Sequence, residues 1–117
     1  MRVLLDNDIV LDFILKRPPF NVEVKEIFDR AGRGEIEIYV SAITPINAFY
    51  TTRKEKGKDV AFRAVKGLLK LVEITETDRR VFQNAFTLNF TDYEDAVQCA
   101  SAMAENLDAI VTRNTKD

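Results

Sequence analysis

The chain has 117 residues, of which 46% are hydrophobic and 31% are charged, and its formal net charge at pH 7 is -2. These totals are typical of one globular domain with its own hydrophobic core, and any nucleic-acid-binding surface must be a local basic patch. The sequence contains no histidine and one cysteine, which excludes histidine-based acid–base catalysis, histidine-ligated zinc and an internal disulfide. The apolar runs are far too short for a membrane helix, and Asp6 and Asp8 interrupt the segment where a signal peptide would be hydrophobic. We therefore expect a cytoplasmic protein with no membrane partner.

Strands and helices alternate along the first part of the chain. The run RVLL, residues 2–5, predicts a buried strand, and Asn7 or Asp8 is the predicted cap of a short helix that follows it. A second helix is predicted from apolar residues at helical spacing, and the run IEIYV, residues 36–40, predicts the second strand. Strand and helix in alternation favour an α/β fold.

The same alternation continues to the end of the chain. Thr44, followed by a proline, predicts the cap of a third helix, which Gly57 ends before a fourth helix begins. The runs LVEIT, residues 71–75, and DAIVT, residues 108–112, predict two further strands, with helices between them. The order of elements predicts a layered α/β structure around a mostly parallel sheet, in which ligands bind beyond the carboxyl ends of the strands.

The segment TDYEDAVQCASA, residues 91–102, predicts the start of a long helix that runs from Asp92 to about Asn106. Thr91 and Glu94 fit a capping box, in which Thr91 accepts from the backbone ahead and Glu94 reaches back. Stabilisation of the helix start also partly explains Asp92, because a negative charge is favourable there. It does not account for Asp95, which lies on the border of the apolar face of the helix.

Acidic residues from separate segments are expected at one edge of the sheet. Asp6 directly follows the first strand, and Asp117 follows the last predicted strand. Asp92 and Asp95 begin a helix that starts at the same edge. Two carboxylates about 5 Å apart repel by roughly 3 kcal/mol at an effective dielectric constant near 20, so a cluster requires protons or a cation. Because histidine is absent, oxygen ligands for Mg²⁺ or Mn²⁺ are the candidates, and such a site suits phosphodiester hydrolysis.

Three segments carry a resemblance that spans nearly the whole chain: VLLDNDIVLDFIL, YVSAITPINAFYTTRK and DYEDAVQCASAMAENLDAIVTRNTKD. The sequence resembles the PIN domain family, in particular the small prokaryotic PIN proteins of the VapC toxin type. The resemblance implies a three-layer α/β/α sandwich and a Mg²⁺- or Mn²⁺-dependent ribonuclease that is the toxin of a toxin–antitoxin pair. It also implies an RNA substrate, an antitoxin protein as partner, and a homodimer. We expect one PIN-like domain over residues 1–117 and leave open whether it is truncated at the carboxyl terminus.

The family's functional residues map onto specific positions of this chain. The resemblance makes Asp6, Asp95 and Asp117 the catalytic acids and metal ligands, with Asp92 as a further catalytic candidate. Polar residues that line the site and assist cofactor binding are expected at Asn47, Thr112 and Asn114. Asn47 stands where the family usually has glutamate; its amide oxygen can still ligate a metal or its waters, but it brings no negative charge. The alternative is that Asn47 only occupies the start of its helix.

Two other interpretations remain open from the sequence. The asparagine favours a catalytically weak PIN module that acts as an RNA- or protein-binding domain, and acids at strand ends also occur in receiver-like phospho-acceptor domains. Basic residues could contact RNA phosphates or simply be solvated. These candidates are Lys16, Arg17, Arg53, Lys54, Lys56, Lys58 and Arg113.

Overall fold

A computed structural model describes residues 1–113 of the chain. Its strands are β1 (Arg2–Leu5), β2 (Glu37–Val40), β3 (Glu73–Ile74) and β4 (Ala109–Val111). Its helices are α1 (Asn7–Ile14), α2 (Asn21–Gly32), α3 (Thr44–Lys56), α4 (Lys58–Leu69), α5 (Arg79–Ala85) and α6 (Tyr93–Ala104), with a 3₁₀ turn at Phe86–Leu88. The predicted order of elements is confirmed, and the predicted fold class, a three-layer α/β/α sandwich with a parallel sheet, is correct.

The sheet is parallel throughout the described residues, with strand order β3-β2-β1-β4. Val3 of β1 is in register with Ile38 of β2 on one side and with Ala109 of β4 on the other. This order places the first strand between the second and the last. A receiver-type sheet has its third strand beside the first, so the receiver-like interpretation is wrong.

The position of β1 explains its sequence. A strand that has neighbours on both sides and helices on both faces is buried all round, and such strands are continuous apolar runs. Val3, Leu4 and Leu5 are all buried, and Leu4 and Leu5 are completely so. By contrast, β2 alternates between exposed and buried residues along its length.

Apolar side chains of the helices complete two clusters. The larger joins β1 and β2 to the helices of the first half, and Phe13 of α1 stacks on Phe28 of α2 with ring centroids 3.8 Å apart. The smaller lies between α5 and α6 and contains Val81 and Val97 with three alanines. Because small residues fill it, α5 and α6 pack closely, which fixes the start of α6 relative to the sheet.

Glycine forms the junction between α3 and α4. Gly57 is the carboxyl-terminal cap of α3 and the amino-terminal cap of α4, with φ 92° and ψ 169°. That backbone region is essentially restricted to glycine. The prediction that Gly57 ends the third helix is confirmed, and its conformation lets α4 begin at once and pack along α3.

The helix caps differ from those predicted. Asp6, not Asn7 or Asp8, caps α1, and Asp92, not Thr91, caps α6. The capping-box interpretation is wrong, because Glu94 accepts a hydrogen bond from Asn7 instead of reaching back to its own helix start. A cap needs an extended backbone and a short acceptor, and several adjacent residues of these segments meet the second condition.

No helix among residues 1–113 has the length and apolar character needed to cross a membrane.

Candidate active site

The carboxyl end of β1 delivers Asp6 to the edge of the sheet. The backbone N–H of Asp6 donates to the carbonyl of Val111 at 3.2 Å, which ties the end of β1 to the end of β4. The Asp6 carboxylate accepts the N–H of Ile9 at 3.0 Å and thereby caps α1. Backbone and side chain are both anchored, so this carboxylate has a defined position beyond the strand ends.

The start of α6 brings two more acids to this edge. The Asp92 carboxylate accepts the N–H of Asp95 at 3.0 Å, so Asp92 has a structural role as the cap. Asp95 lies in the first turn that this cap orders and is partly buried. The cap therefore fixes the backbone from which the Asp95 side chain projects.

Two adjoining clefts run along this edge of the sheet. The first has a volume of about 420 Å³ and the second about 320 Å³. The residues that line both are Asp6, Asp8, Glu94, Asp95 and Gln98. Asp92 and Thr112 line only the first, and Asn47 lines only the second. The structure thus brings Asp6 and Asp95 to a shared, strongly acidic space, with Asp92, Thr112 and Asn47 around it.

A buried chain of hydrogen bonds supports the acidic cleft. The Thr44 hydroxyl donates to Asn7 Oδ1 at 2.6 Å, and Asn7 Nδ2 donates to Glu94 Oε1 at 2.6 Å. Thr44 is fully buried and Asn7 nearly so. The chain links the starts of α3, α1 and α6, and it requires two polar residues inside a packed interface. These hydrogen bonds were not predicted from the sequence. Their one sign in the sequence is a polar residue, Asn7, between Asp6 and the apolar face of α1.

A buried carboxylate with a basic partner lies behind the cleft. Asp12 is fully buried on α1, and Arg113 Nε lies 3.2 Å from Asp12 Oδ2, without the alignment of a hydrogen bond. The guanidinium also lies 3.9 Å from Asp8 and 4.9 Å from the ring centre of Phe20. Burial raises the pKa of Asp12, and the charges of Arg113 and Arg17 oppose that rise. Arg113 is thus engaged with protein acids, which counts against its predicted role as a phosphate contact.

The donor set suits a hard divalent cation held by few protein ligands. Among residues 1–113, no three acidic or cysteine side chains converge closely enough to enclose a metal ion. Mg²⁺ commonly binds through one or two carboxylates and keeps several waters, and Asp6 and Asp95 supply that number. Asn47 Oδ1 is buried and lacks a hydrogen-bond partner in the described part of the chain. The predicted residues Asn114 and Asp117 lie outside the described residues.

Gln98 is a second residue that sequence reasoning missed. It lies one turn after Asp95 on α6, lines both clefts and is only 3% exposed, and its Oε1 has no hydrogen-bond partner within residues 1–113. A glutamine on a helix face otherwise made of alanine, valine and serine is the signal that was available. Its amide adds a buried polar group to the wall that carries Asp95.

Comparison with known proteins identifies the family. The PIN domain model matches residues 2–116. A chain of the VapBC2 structure from Rickettsia felis, bound to a DNA fragment from their promoter, is 22% identical, with TM-score 0.76 over 99% of this chain and 90% of that chain. VapC20 from Mycobacterium tuberculosis, described as a sarcin–ricin loop cleaving toxin, is 10% identical, with TM-score 0.79 over 97% and 91%.

A chain of a toxin–antitoxin complex from Klebsiella pneumoniae is 21% identical, with TM-score 0.76 over 98% of this chain and 88% of that chain. None of the curated protein sequences matches. At these identities the solved structures establish the fold alone, and that fold is the one described above. The family match extends over almost the whole chain, from the first strand through the acidic helix to the last strand. The chain belongs to the PIN domain family.

Proposed function

We propose that this protein is a divalent-metal-dependent endoribonuclease and the toxin of a toxin–antitoxin pair. The observation that supports the proposal is the shared lining of both clefts by Asp6 and Asp95, which come from distant parts of the sequence. The cleft lies beyond the carboxyl ends of β1 and β4, where ligands of parallel sheets bind. Membership of the PIN family and likeness in fold to VapC toxins favour RNA as the substrate.

In this proposal Asp6 and Asp95 hold Mg²⁺ or Mn²⁺, which when bound polarises a phosphoryl oxygen and makes water more acidic. The protein's own contribution is positional. Asp6 is fixed by the strand end and by its cap bond, and the Asn7 amide holds Glu94 at the cleft wall. Because the cleft is acidic and repels RNA phosphate, we expect a bound cation to strengthen substrate binding.

Five residues have supporting roles in the proposal. Asp117 is a third ligand, Asp92 a further acid that orders the start of α6, and Thr112 and Asn114 polar neighbours of the site. The roles of Asn114 and Asp117 rest on the family resemblance alone. Asn47 replaces the usual glutamate as a neutral oxygen donor to the metal or to its waters. One fewer negative charge predicts weaker metal binding than in relatives with glutamate.

The test is cleavage of a fluorophore–quencher RNA by the purified protein in Mn²⁺, in Mg²⁺ and in EDTA. Asp6→Asn and Asp95→Asn should each lower the rate about a hundredfold or more, since each removes a charge that holds the cation. Asp29→Asn is the matched control, because Asp29 is exposed on α2 and lines neither cleft. Metal-independent cleavage, or full cleavage by both site variants, would contradict the proposal.

The second candidate is a PIN module that binds RNA or protein with little turnover, and the neutral Asn47 favours it. Calorimetric titration with Mn²⁺ separates the two candidates. Heat of binding at low millimolar Mn²⁺ that disappears in Asp95→Asn supports the nuclease. No binding at these concentrations, together with RNA binding in EDTA, would support the module. Asn47→Glu tests the same point, because the added charge should tighten Mn²⁺ binding.

An exposed apolar groove supports the proposal of an antitoxin partner. The groove lies between α3 and α4, has a volume of about 620 Å³ and is walled by Ile46, Tyr50, Phe62 and Leu69, all of which are exposed. Lys66 lies in the groove, and basic residues end α3. This pattern fits an amphipathic segment with acidic flanks. Co-purification with the product of a neighbouring reading frame, lost in Phe62→Asp, is the expected result.

Two further parts of the proposal are the compartment and the assembly. The protein is proposed to act in the cytoplasm, where an RNA substrate is accessible and where a lone thiol such as Cys99 stays reduced. It is also proposed to form a homodimer, as the family resemblance implies. Light scattering of the purified protein measures its oligomeric state. A monomeric mass at high micromolar concentration would contradict the homodimer.

A further inference from the structure

A row of aromatic side chains lies next to the acid-rich cleft. It consists of Phe82, Phe86, Phe90 and Tyr93, which we name the aromatic ledge. The rings of Phe86 and Tyr93 are stacked, with centroids 4.7 Å apart and an angle of 26° between planes, and Phe82 lies 6.5 Å from Tyr93. The Tyr93 hydroxyl donates to the carbonyl of Phe82 at 2.9 Å. The ring contacts and this hydrogen bond hold Phe82, Phe86 and Tyr93 together between α5 and the start of α6, and Phe90 lies three residues before Tyr93.

The aromatic ledge is exposed rather than part of the core. Phe86 is 74% exposed, Tyr93 43% and Phe90 41%. Single exposed apolar residues are ordinary, but a contiguous exposed aromatic surface marks a binding site. Flat aromatic rings exposed in this way are suited to stacking.

The surroundings of the aromatic ledge favour a nucleic-acid ligand. Phe90 lines the cleft that contains Asp6, Asp95 and Thr112, so one member of the ledge lies in the candidate active site. Arg79 precedes Phe82 by three residues on α5, which places a cation on the same side of that helix. Aromatic faces together with a cation are the usual elements of a single-strand binding site.

The acidity of the cleft strengthens this argument. Carboxylates repel the phosphates of a strand that enters the cleft, so affinity must come from groups that do not depend on the cleft's charge. Stacking of a base on an aromatic ring is such a contribution. Paired bases are already stacked within their own helix, and only unpaired bases are free to lie on the rings.

We propose that the aromatic ledge stacks unpaired nucleobases of the RNA next to the phosphate in the acidic cleft. The proposal rests on the proposed nuclease function for the identity of the substrate. Phe90 is the ring nearest the cleft and receives the adjacent base, and Phe86 receives the next one.

The test measures binding separately from cleavage. All variants are made in the Asp95→Asn background, and fluorescence anisotropy follows a labelled single-stranded oligoribonucleotide and the same sequence as a blunt duplex. Phe86→Leu and Phe90→Leu keep an apolar side chain but remove the flat face, so each should weaken single-strand binding about five- to hundredfold. Phe86→Tyr keeps the ring and should bind like the parent. Phe62→Leu is the control, because Phe62 is an exposed ring on α4 that lines neither acidic cleft, and it should change affinity less than twofold.

The outcomes separate this proposal from the nuclease proposal. Unchanged binding in Phe86→Leu and Phe90→Leu, or equal loss in Phe62→Leu, overturns the ledge even if the wild-type protein cleaves RNA. Ring-dependent binding without any cleavage by the wild-type protein retains the ledge and overturns the nuclease. If Phe86→Leu turns a dimer into a monomer in light scattering, the ledge is a contact between two copies, and the proposal is overturned.

Discussion

The ion pair behind the cleft predicts a large and pH-dependent loss of stability for Arg113→Gln. Asp12 is completely buried, and Arg113 lies 3.2 Å from it with its side chain 33% exposed. At that distance the attraction is about 5 kcal/mol at an effective dielectric constant of 20. Solvent reaches part of the guanidinium and weakens the attraction between the two charges. We therefore expect a loss of about 2 kcal/mol in the free energy of unfolding. For a chain of this size that corresponds to a fall in Tm of about 8 °C.

The sign of the pH dependence follows from the direction of the pKa shift. Burial raises the pKa of Asp12, so between the unfolded pKa, about 3.9, and the raised folded pKa the native state binds the proton more tightly. Stability from this group is therefore fully present below pH 3.9 and is lost as pH rises through that window. Arg113→Gln removes the main charge that lowers the pKa of Asp12. The pH range over which stability is lost should therefore extend to higher pH.

Urea denaturation followed by circular dichroism between pH 4 and pH 8 measures both effects. Arg113→Gln should differ from the wild type more at pH 8 than at pH 4, and adding Asp12→Asn should restore most of the loss because no buried charge remains. Arg30→Gln is the control: Arg30 lies 3.2 Å from Glu35, but both are about half exposed, so the loss should be below about 0.5 kcal/mol. An equal loss at both pH values, not restored by Asp12→Asn, would refute the reasoning.

Three further predictions concern the supporting structure. Asn7→Ala removes both hydrogen bonds of the buried chain and leaves the Thr44 hydroxyl with Ser41 Oγ, 3.4 Å away, so urea denaturation should show a loss of about 1–3 kcal/mol in the free energy of unfolding. Gly57→Ala forces a side chain into a backbone region with φ 92° and should cost about 1–3 kcal/mol in thermal melts, whereas Gly67→Ala, in α4 with open space around it, should gain about 0.5–1 kcal/mol. If Mn²⁺ binds at the cleft, 100 times its Kd should stabilise the protein by about 2.7 kcal/mol, and Asp6→Asn should abolish this shift.

The fold was largely readable from the sequence because its strands differ strongly from its helices. The predicted strand at residues 2–5 matches the bounds of β1, and its residues 3–5 are continuously apolar, as is typical of a central parallel strand. The run at 71–75 predicts a full strand, but only Glu73–Ile74 form one, and the N–H of Thr75 adds one further hydrogen bond to Val40 of β2. β3 lies at the edge of the sheet, where pairing is on one side only, and no local pattern reports how far pairing extends.

The caps and the hydrogen-bond chain were not readable because adjacent residues compete for the same role. Asp6, Asn7 and Asp8 are all good caps, and only the path of the backbone after β1 selects Asp6. Thr44 was predicted as a cap, but it lies within α3 and donates to Asn7. Such a contact joins residues far apart in the sequence, so no local spacing encodes it.

The candidate site was partly readable for a related reason. Strand ends and helix starts of a parallel α/β fold share one edge, so the acids that follow them were expected together, and Asp6 and Asp95 do line the same clefts. Gln98 and Phe90 were overlooked because neither belongs to a charged pattern. Their roles, like those of the acids, remain predictions until the variants are measured.

The central position of β1 has a consequence for the timing of synthesis. β1 is synthesised before the other strands, and one of its two edges has no hydrogen-bond partner until β4, at Ala109–Val111, has been made. The end of β4 also holds Asp6 in place through Val111, and the wall that bears Asp95 is made almost as late. A nascent chain in which β4 has not yet been made therefore has its first acid but no assembled cleft.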